Sequence, residues 1–96
     1  MHTSEVQAKG THHLVVSIID EKTRKRITDA AVTASVSELG MSAQNRKLEM
    51  MSFGSAVTYG NFFAMPKSGL YEIVVNVRRP VDDNAATARF KYKHPR

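Results

Sequence analysis

The chain has 96 residues, a formal net charge of +5 and no cysteine. This length accommodates one domain at most and excludes a multidomain architecture. No apolar run approaches the roughly 20 residues that a membrane-spanning helix needs, so we expect no transmembrane segment. The basic balance favours anionic partners such as nucleic acid or lipid head groups, although basic residues are also common on ordinary solvated surfaces.

The first half of the chain predicts three strands separated by polar connectors. Residues 13–19 form a short run rich in β-branched side chains, typical of a strand, and residues 20–26 read as a hairpin or loop. Residues 31–39 alternate with a period of two, which places Val32, Ala34 and Val36 on one face. Residues 48–53 predict a shorter strand.

The second half predicts three more strands. Residues 56–65 form a longer strand, and residues 66–69 form a turn because Pro66 restricts φ and Gly69 permits positive φ. Residues 70–78 give the clearest alternation. Its predicted inward side chains are Tyr71, Ile73, Val75 and Val77. Residues 87–94 alternate again, with Ala88, Phe90 and Tyr92 predicted to face the core and Arg89, Lys91 and Lys93 to face outward.

Short strands at this spacing, with turn signals between them, indicate an all-β fold. The length and strand count fit an immunoglobulin-like antiparallel two-sheet sandwich of six or seven strands. We expect a flexible N-terminal segment at residues 1–12 and a single β-sandwich domain at residues 13–94.

The sequence lacks the motifs of common enzymes. It contains no nucleophile elbow, no phosphate-cradling loop and no dinucleotide-binding glycine pattern. The acidic pairs Asp20-Glu21 and Asp82-Asp83 lie in predicted loops, where such residues usually form turns. We therefore expect a protein that is not an enzyme.

A family resemblance rests on Tyr59-Gly60, Met65-Pro66, Gly69, Tyr71 and Arg79-Pro80. This pattern resembles small bacterial periplasmic sandwich domains, including YtkA-like domains and periplasmic iron-transport proteins with a cupredoxin-like or immunoglobulin-like fold. The resemblance implies a non-enzymatic periplasmic or secreted accessory or binding module involved in copper or iron handling, in a mature form without a signal peptide. It also implies another periplasmic or membrane protein as partner.

The resemblance also suggests a metal site. In the iron-transport proteins a Met-rich segment precedes a His-Tyr-Gly; Met50-Met51 lies in the corresponding place here, and Thr58 occupies the position of that histidine. Copper(I) takes thioether and imidazole ligands, which makes copper the candidate cofactor. The candidate metal ligands are His12, His13, Met50, Met51 and His94. Because the histidines flank strand ends, we expect any site to lie at one end of the sandwich and to combine histidine with methionine.

Simpler interpretations compete with this site. A methionine in a strand usually fills core space, and histidines near chain ends are most often solvated. The alternative function is a small basic nucleic-acid-binding β-barrel that stacks bases on Phe62, Phe63, Phe90 and Tyr92. In the last strand, however, alternation places the aromatic side chains on the face opposite the charges, so we expect no nucleic-acid partner.

Overall fold

The computed structural model describes residues 11–81 and 85–95, and within them all regular structure is β. The strands are β1 (Thr11–Val16), β2 (Ala31–Glu38), β3 (Gln44–Phe53), β4 (Ala56–Ala64), β5 (Gly69–Arg78) and β6 (Ala86–His94). They form one sheet in the order β1-β4-β3-β2-β5-β6, and every neighbouring pair is antiparallel. The prediction of an all-β fold is confirmed.

Strand β3 joins the two halves of the sheet. Its first half, from Gln44 to Leu48, pairs with β2, whereas its second half, from Glu49 to Phe53, pairs with β4. This change of partner accompanies a curl of the sheet into a half-barrel. The separate second sheet that a sandwich requires is therefore not confirmed.

The core lies on one face of the curled sheet. Its most buried side chains come from β2, β3, β4, the turn after β4, and β5: Val32, Ala34, Val36, Leu48, Tyr59, Phe63, Met65, Tyr71, Ile73 and Val75. Val77 is half-buried against this cluster, and Asn76 and Arg78 are exposed. The period-two faces predicted for β2 and β5 are thus confirmed, because alternate side chains of a strand point to opposite faces.

Buried Tyr59 links the connector between β1 and β2 to this core by hydrogen bonds. The Tyr59 hydroxyl donates to the Ile27 carbonyl at 2.9 Å and accepts the Ala30 N–H at 3.3 Å. Buried tyrosines usually find such partners for their polar end. The contacts hold Ile27 in the core although it lies outside the named strands.

Residues 20–26 form a tight loop, as predicted. One oxygen of Asp20 accepts the N–H groups of Lys22 at 2.8 Å and Thr23 at 3.0 Å, and the other accepts from the Arg79 guanidinium at 3.0 Å. The Thr23 and Lys22 amides, followed by Arg79, lower the pKa of Asp20 because they stabilise its charged form. Asp20 is thus a turn former, as the sequence indicates.

Two predicted boundaries are wrong. Strand β1 spans Thr11–Val16 instead of residues 13–19; residues 1–10 of the predicted flexible segment lie outside the described residues. Strand β3 begins at Gln44 instead of residue 48. Residues 45–47 are exposed, so this part of β3 carries no apolar pattern for the sequence to reveal.

The predicted burial of β6 is also wrong. Ala88, Phe90 and Tyr92 are all exposed, Phe90 at 52% and Tyr92 at 37% of its surface. They do share a face with the core, because they pair with Val75, Ile73 and Tyr71 respectively. However, β6 is the last strand of the sheet, and within the described residues no further strand covers it.

Candidate functional site

The curl of the sheet brings its two edge strands together at one end. His12 lies near the start of β1 and His94 at the end of β6, and their ring centroids are 4.5 Å apart with an edge-to-face angle of 81°. His12 pairs with buried Phe63 across the sheet, and His94 lies two residues beyond Tyr92 on the same strand. Both imidazoles therefore project from the core face.

Two tyrosines complete what we call the histidine cluster, defined as His12, Tyr71, Tyr92 and His94. The ring of Tyr92 stacks on His94 at 6.2 Å and meets His12 edge-on at 6.4 Å. The ring centroid of Tyr71 lies 6.4 Å from that of His94. The Tyr71 hydroxyl donates to the Lys67 carbonyl at 2.9 Å. Both tyrosines thus place an aromatic ring beside His94, and Tyr92 lies beside His12 as well.

One nitrogen of each imidazole lacks a hydrogen-bond partner in this environment, within the part of the chain that the structure describes. The Nδ1 atoms of His12 and His94 are both buried, and neither has a hydrogen-bond partner among residues 11–81 and 85–95. Leaving a buried polar atom unsatisfied costs about 1–3 kcal/mol. Two such atoms on touching rings are therefore an unsatisfied feature of this end of the sheet.

The side chains of His13 and Met51 both lie over Gly60, on the opposite face of the sheet. A Cβ at Gly60 would lie 2.6 Å from Met51 Cε and 3.0 Å from His13 Nε2. The same Cβ would lie 2.9 Å from the backbone oxygen of Leu14, which cannot move aside as the end of a side chain can, so this close approach of two strands favours glycine. The His13 ring also stacks on Phe62 at 4.4 Å, and Thr58 pairs with Met51 with its Oγ1 buried and without a hydrogen-bond partner in the described part of the chain.

The five predicted ligands therefore lie in three places. His12 and His94 share the core face at the sheet edges, and His13 and Met51 share the opposite face. Met50 pairs with Tyr59, four residues along β4 from the partner of His12, Phe63, and is 56% exposed. In the described ranges no three side chains of the His, Cys, Asp or Glu type converge to hold a metal ion.

Sequence reasoning placed His12 and His94 at strand ends but did not include Tyr71 and Tyr92 in the site. The alternation of β6 puts Tyr92 and His94 on one face, which was a usable signal. Tyr71 joins the histidine cluster only because β5 pairs with β6, which places it opposite Tyr92. That register is not encoded in any local pattern.

The exposed aromatic residues of β6 bear on the nucleic-acid alternative. Phe90 and Tyr92 are accessible enough to stack on a base. Arg89, Lys91 and Lys93 nevertheless occupy the alternate positions of the same strand, so they point away from the aromatic face. A base stacked on Phe90 would have none of these three cations on its own face.

Comparison of the chain with protein-family models, curated proteins and solved structures finds no match. Among the residues that the structure describes, no helix is long and apolar enough to cross a membrane. The resemblance to periplasmic metal-handling domains therefore stays a prediction.

Proposed function

We propose that this chain is a non-enzymatic metal-binding module that holds a copper ion between β1 and β6. The ligands are the imidazole nitrogens of His12 and His94. The observation that carries the proposal is that the two rings touch and that each has a buried Nδ1 atom without a partner in the described residues.

The chemistry of the pair suits copper. Imidazole is a ligand for copper, zinc, nickel and iron, and Cu(I) accepts low coordination numbers, as a pair of imidazoles would supply. A bound ion would satisfy both orphaned nitrogens. The buried ring of Tyr71 near His94 would limit water on that side, which favours a soft, weakly hydrated ion over a strongly hydrated one.

The pair formed by His13 and Met51 is the competing copper site. It supplies the imidazole and thioether combination expected from the sequence, and thioether selects Cu(I). Its packing over Gly60 has a sufficient structural explanation, because methionine commonly fills irregular gaps. The orphaned nitrogens of His12 and His94 have no such explanation, which is why we place the ion there.

The resemblance based on Tyr59-Gly60 and Met65-Pro66 supports the remaining parts of the proposal. These are a periplasmic or secreted location, an accessory role beside another periplasmic or membrane protein, and an immunoglobulin-like arrangement in which β3 serves both halves of the fold. The pairing of β3 with β2 along its first half and with β4 along its second half fits that arrangement.

The test is the affinity for Cu(I), measured by competition with a chromogenic chelator, in the wild type and in His12→Phe and His94→Phe. Phenylalanine keeps an aromatic ring in the cluster and removes the ligand nitrogens. We expect each substitution to weaken Cu(I) binding by more than about 100-fold, since losing even an outer-shell partner of a metal ligand costs about 10–100-fold.

His13→Phe and Met51→Leu are the matched controls. His13 is the neighbour of His12 in the chain but lies on the other face with Met51, so neither substitution should change the affinity by more than about twofold. If the controls abolish binding and the cluster variants do not, the copper site lies above Gly60 instead. If the wild type binds no Cu(I), Cu(II), Zn(II) or Fe(II), the proposed function is wrong.

A further inference from the structure

Apart from its end near His94, where His12 of β1 approaches it, strand β6 presents an open edge of the sheet. It spans Ala86–His94, pairs with β5 on one side, and ends the strand order among the described residues. In an edge strand, backbone N–H and C=O groups point outward without partners and offer a template for another extended chain. Eight of its nine residues are exposed, His94 being the exception.

The two faces of β6 differ in chemistry. One carries Phe90 and Tyr92, which are 52% and 37% exposed. The other carries Arg89, Lys91 and Lys93. The register places Glu72 opposite Lys91 but Val74 opposite Arg89 and Leu70 opposite Lys93. Two of the three cations thus have an apolar residue, not an acid, as their neighbour across the sheet.

This charge pattern opposes pairing with a second copy. In an antiparallel pair of β6 strands, a register that keeps aromatic side chains together also places Arg89, Lys91 and Lys93 opposite one another. Like charges directly opposite are destabilising. A register shifted by one residue would place cations beside Phe90 and Tyr92. Charged edge strands are a common device against such self-association.

We propose that β6 is the docking edge for an extended segment of another protein in which acidic and apolar residues alternate. Its backbone would extend the sheet beyond β6, as in other cases of strand addition. Its acidic side chains would face Arg89 and Lys93, which have no acid directly opposite them on β5. Its apolar side chains would cover Phe90 and Tyr92, which are exposed on the core face.

The test uses two synthetic nine-residue peptides, one alternating glutamate with valine and one alternating lysine with valine. Binding is followed by the amide NMR signals of the whole chain. The acidic peptide should shift signals of β6 and protect its amides from hydrogen exchange, and the basic peptide should not. No binding of the acidic peptide would overturn the proposal, since the cations would then serve only to prevent self-association.

A charge-reversed variant tests where the peptide binds. Arg89→Glu with Lys93→Glu should weaken binding of the acidic peptide by more than about tenfold. The matched control is Arg46→Glu with Lys47→Glu, which makes the same change of charge on exposed positions of β3 and should leave binding within about twofold. Equal losses in both variants would indicate non-specific attraction to a basic protein and would contradict docking at β6.

Sedimentation of the chain alone completes the test. We expect a monomer at all accessible concentrations. A dimer whose formation protects the β6 amides would assign this edge to a second copy and overturn the proposal. None of these outcomes depends on whether His12 and His94 bind copper, because the measurements are made without metal.

Discussion

Strands β5 and β6 are neighbours with the same alternating pattern, but their core-face side chains are buried on β5 and exposed on β6. On β5, Tyr71, Ile73 and Val75 are 3%, 7% and 4% exposed, whereas their β6 partners include Phe90 at 52% and Tyr92 at 37%. Strand β5 has a neighbour on each side and β6 has only one within the described residues. Alternation determines which side chains share a face, and the position of the strand in the sheet determines whether that face is covered.

The largest expected difference comes from truncating one side chain on each strand at the same register position. Ile73→Ala should lower the free energy of unfolding by about 2–4 kcal/mol, because it removes buried methyl and methylene groups and leaves a cavity. Phe90→Ala, on the residue directly opposite, should cost about 1 kcal/mol or less. Denaturant unfolding curves measure both values. Equal costs would show that β6 is covered and that the comparison is wrong.

The two tyrosines that face each other give a smaller contrast. Tyr71→Phe should lower the free energy of unfolding by about 1 kcal/mol, because the Tyr71 hydroxyl bonds to the Lys67 backbone at 2.9 Å. Tyr92→Phe should change it by less than about 0.5 kcal/mol, as is usual for exposed positions. The same unfolding measurement applies. A larger loss for Tyr92→Phe would place its hydroxyl in a stabilising contact.

The smallest expected effect is a local loosening of the loop of residues 20–26 at acid pH. Strand β5 should stay intact under the same conditions. The pKa of Asp20 is lowered from its usual 3.8. The stability that the Asp20 carboxylate gives to this loop is therefore fully present above pH 3.8 and is lost as the pH falls through the pKa of the folded state. Measured against the intrinsic exchange rate at each pH, the protection of the Lys22 and Thr23 amides from hydrogen exchange should then fall below about pH 3.8, while that of Val75 stays high.

Asp20→Asn is the control for this acid effect. Asparagine keeps an acceptor oxygen and does not titrate, so exchange at Lys22 and Thr23 should no longer show this step at low pH. If the variant retains the step, the acid sensitivity of the loop has another source and Asp20 does not control it.

The sequence was sufficient for features that local chemistry controls. The alternation of β2 and β5, the loop at Asp20 and the turn at Gly69 follow from side-chain period and backbone preference, and Gly69 does adopt a positive φ of 136°. The polar start of β3 at Gln44 could not be predicted, because backbone pairing with β2 holds it in place and not an apolar face.

The candidate site shows the same division. His12 and His94 were placed at strand ends from their positions in the chain. Their meeting depends on the order of the strands, which makes β1 and β6 the two edges of one curled sheet. The separation of His13 from His12 follows from alternation, but the placement of His13 and Met51 over Gly60 depends on the register of three strands.

The most direct test of the account follows the histidine rings themselves during titration with Cu(I), which is diamagnetic and shifts NMR signals without broadening them. We predict that the ring signals of His12 and His94 shift together and saturate at one equivalent, while those of His13 and the Met51 methyl group stay in place. Shifts confined to His13 and Met51, or no shift in any of the four, would contradict the assignment of the copper site to the meeting point of β1 and β6.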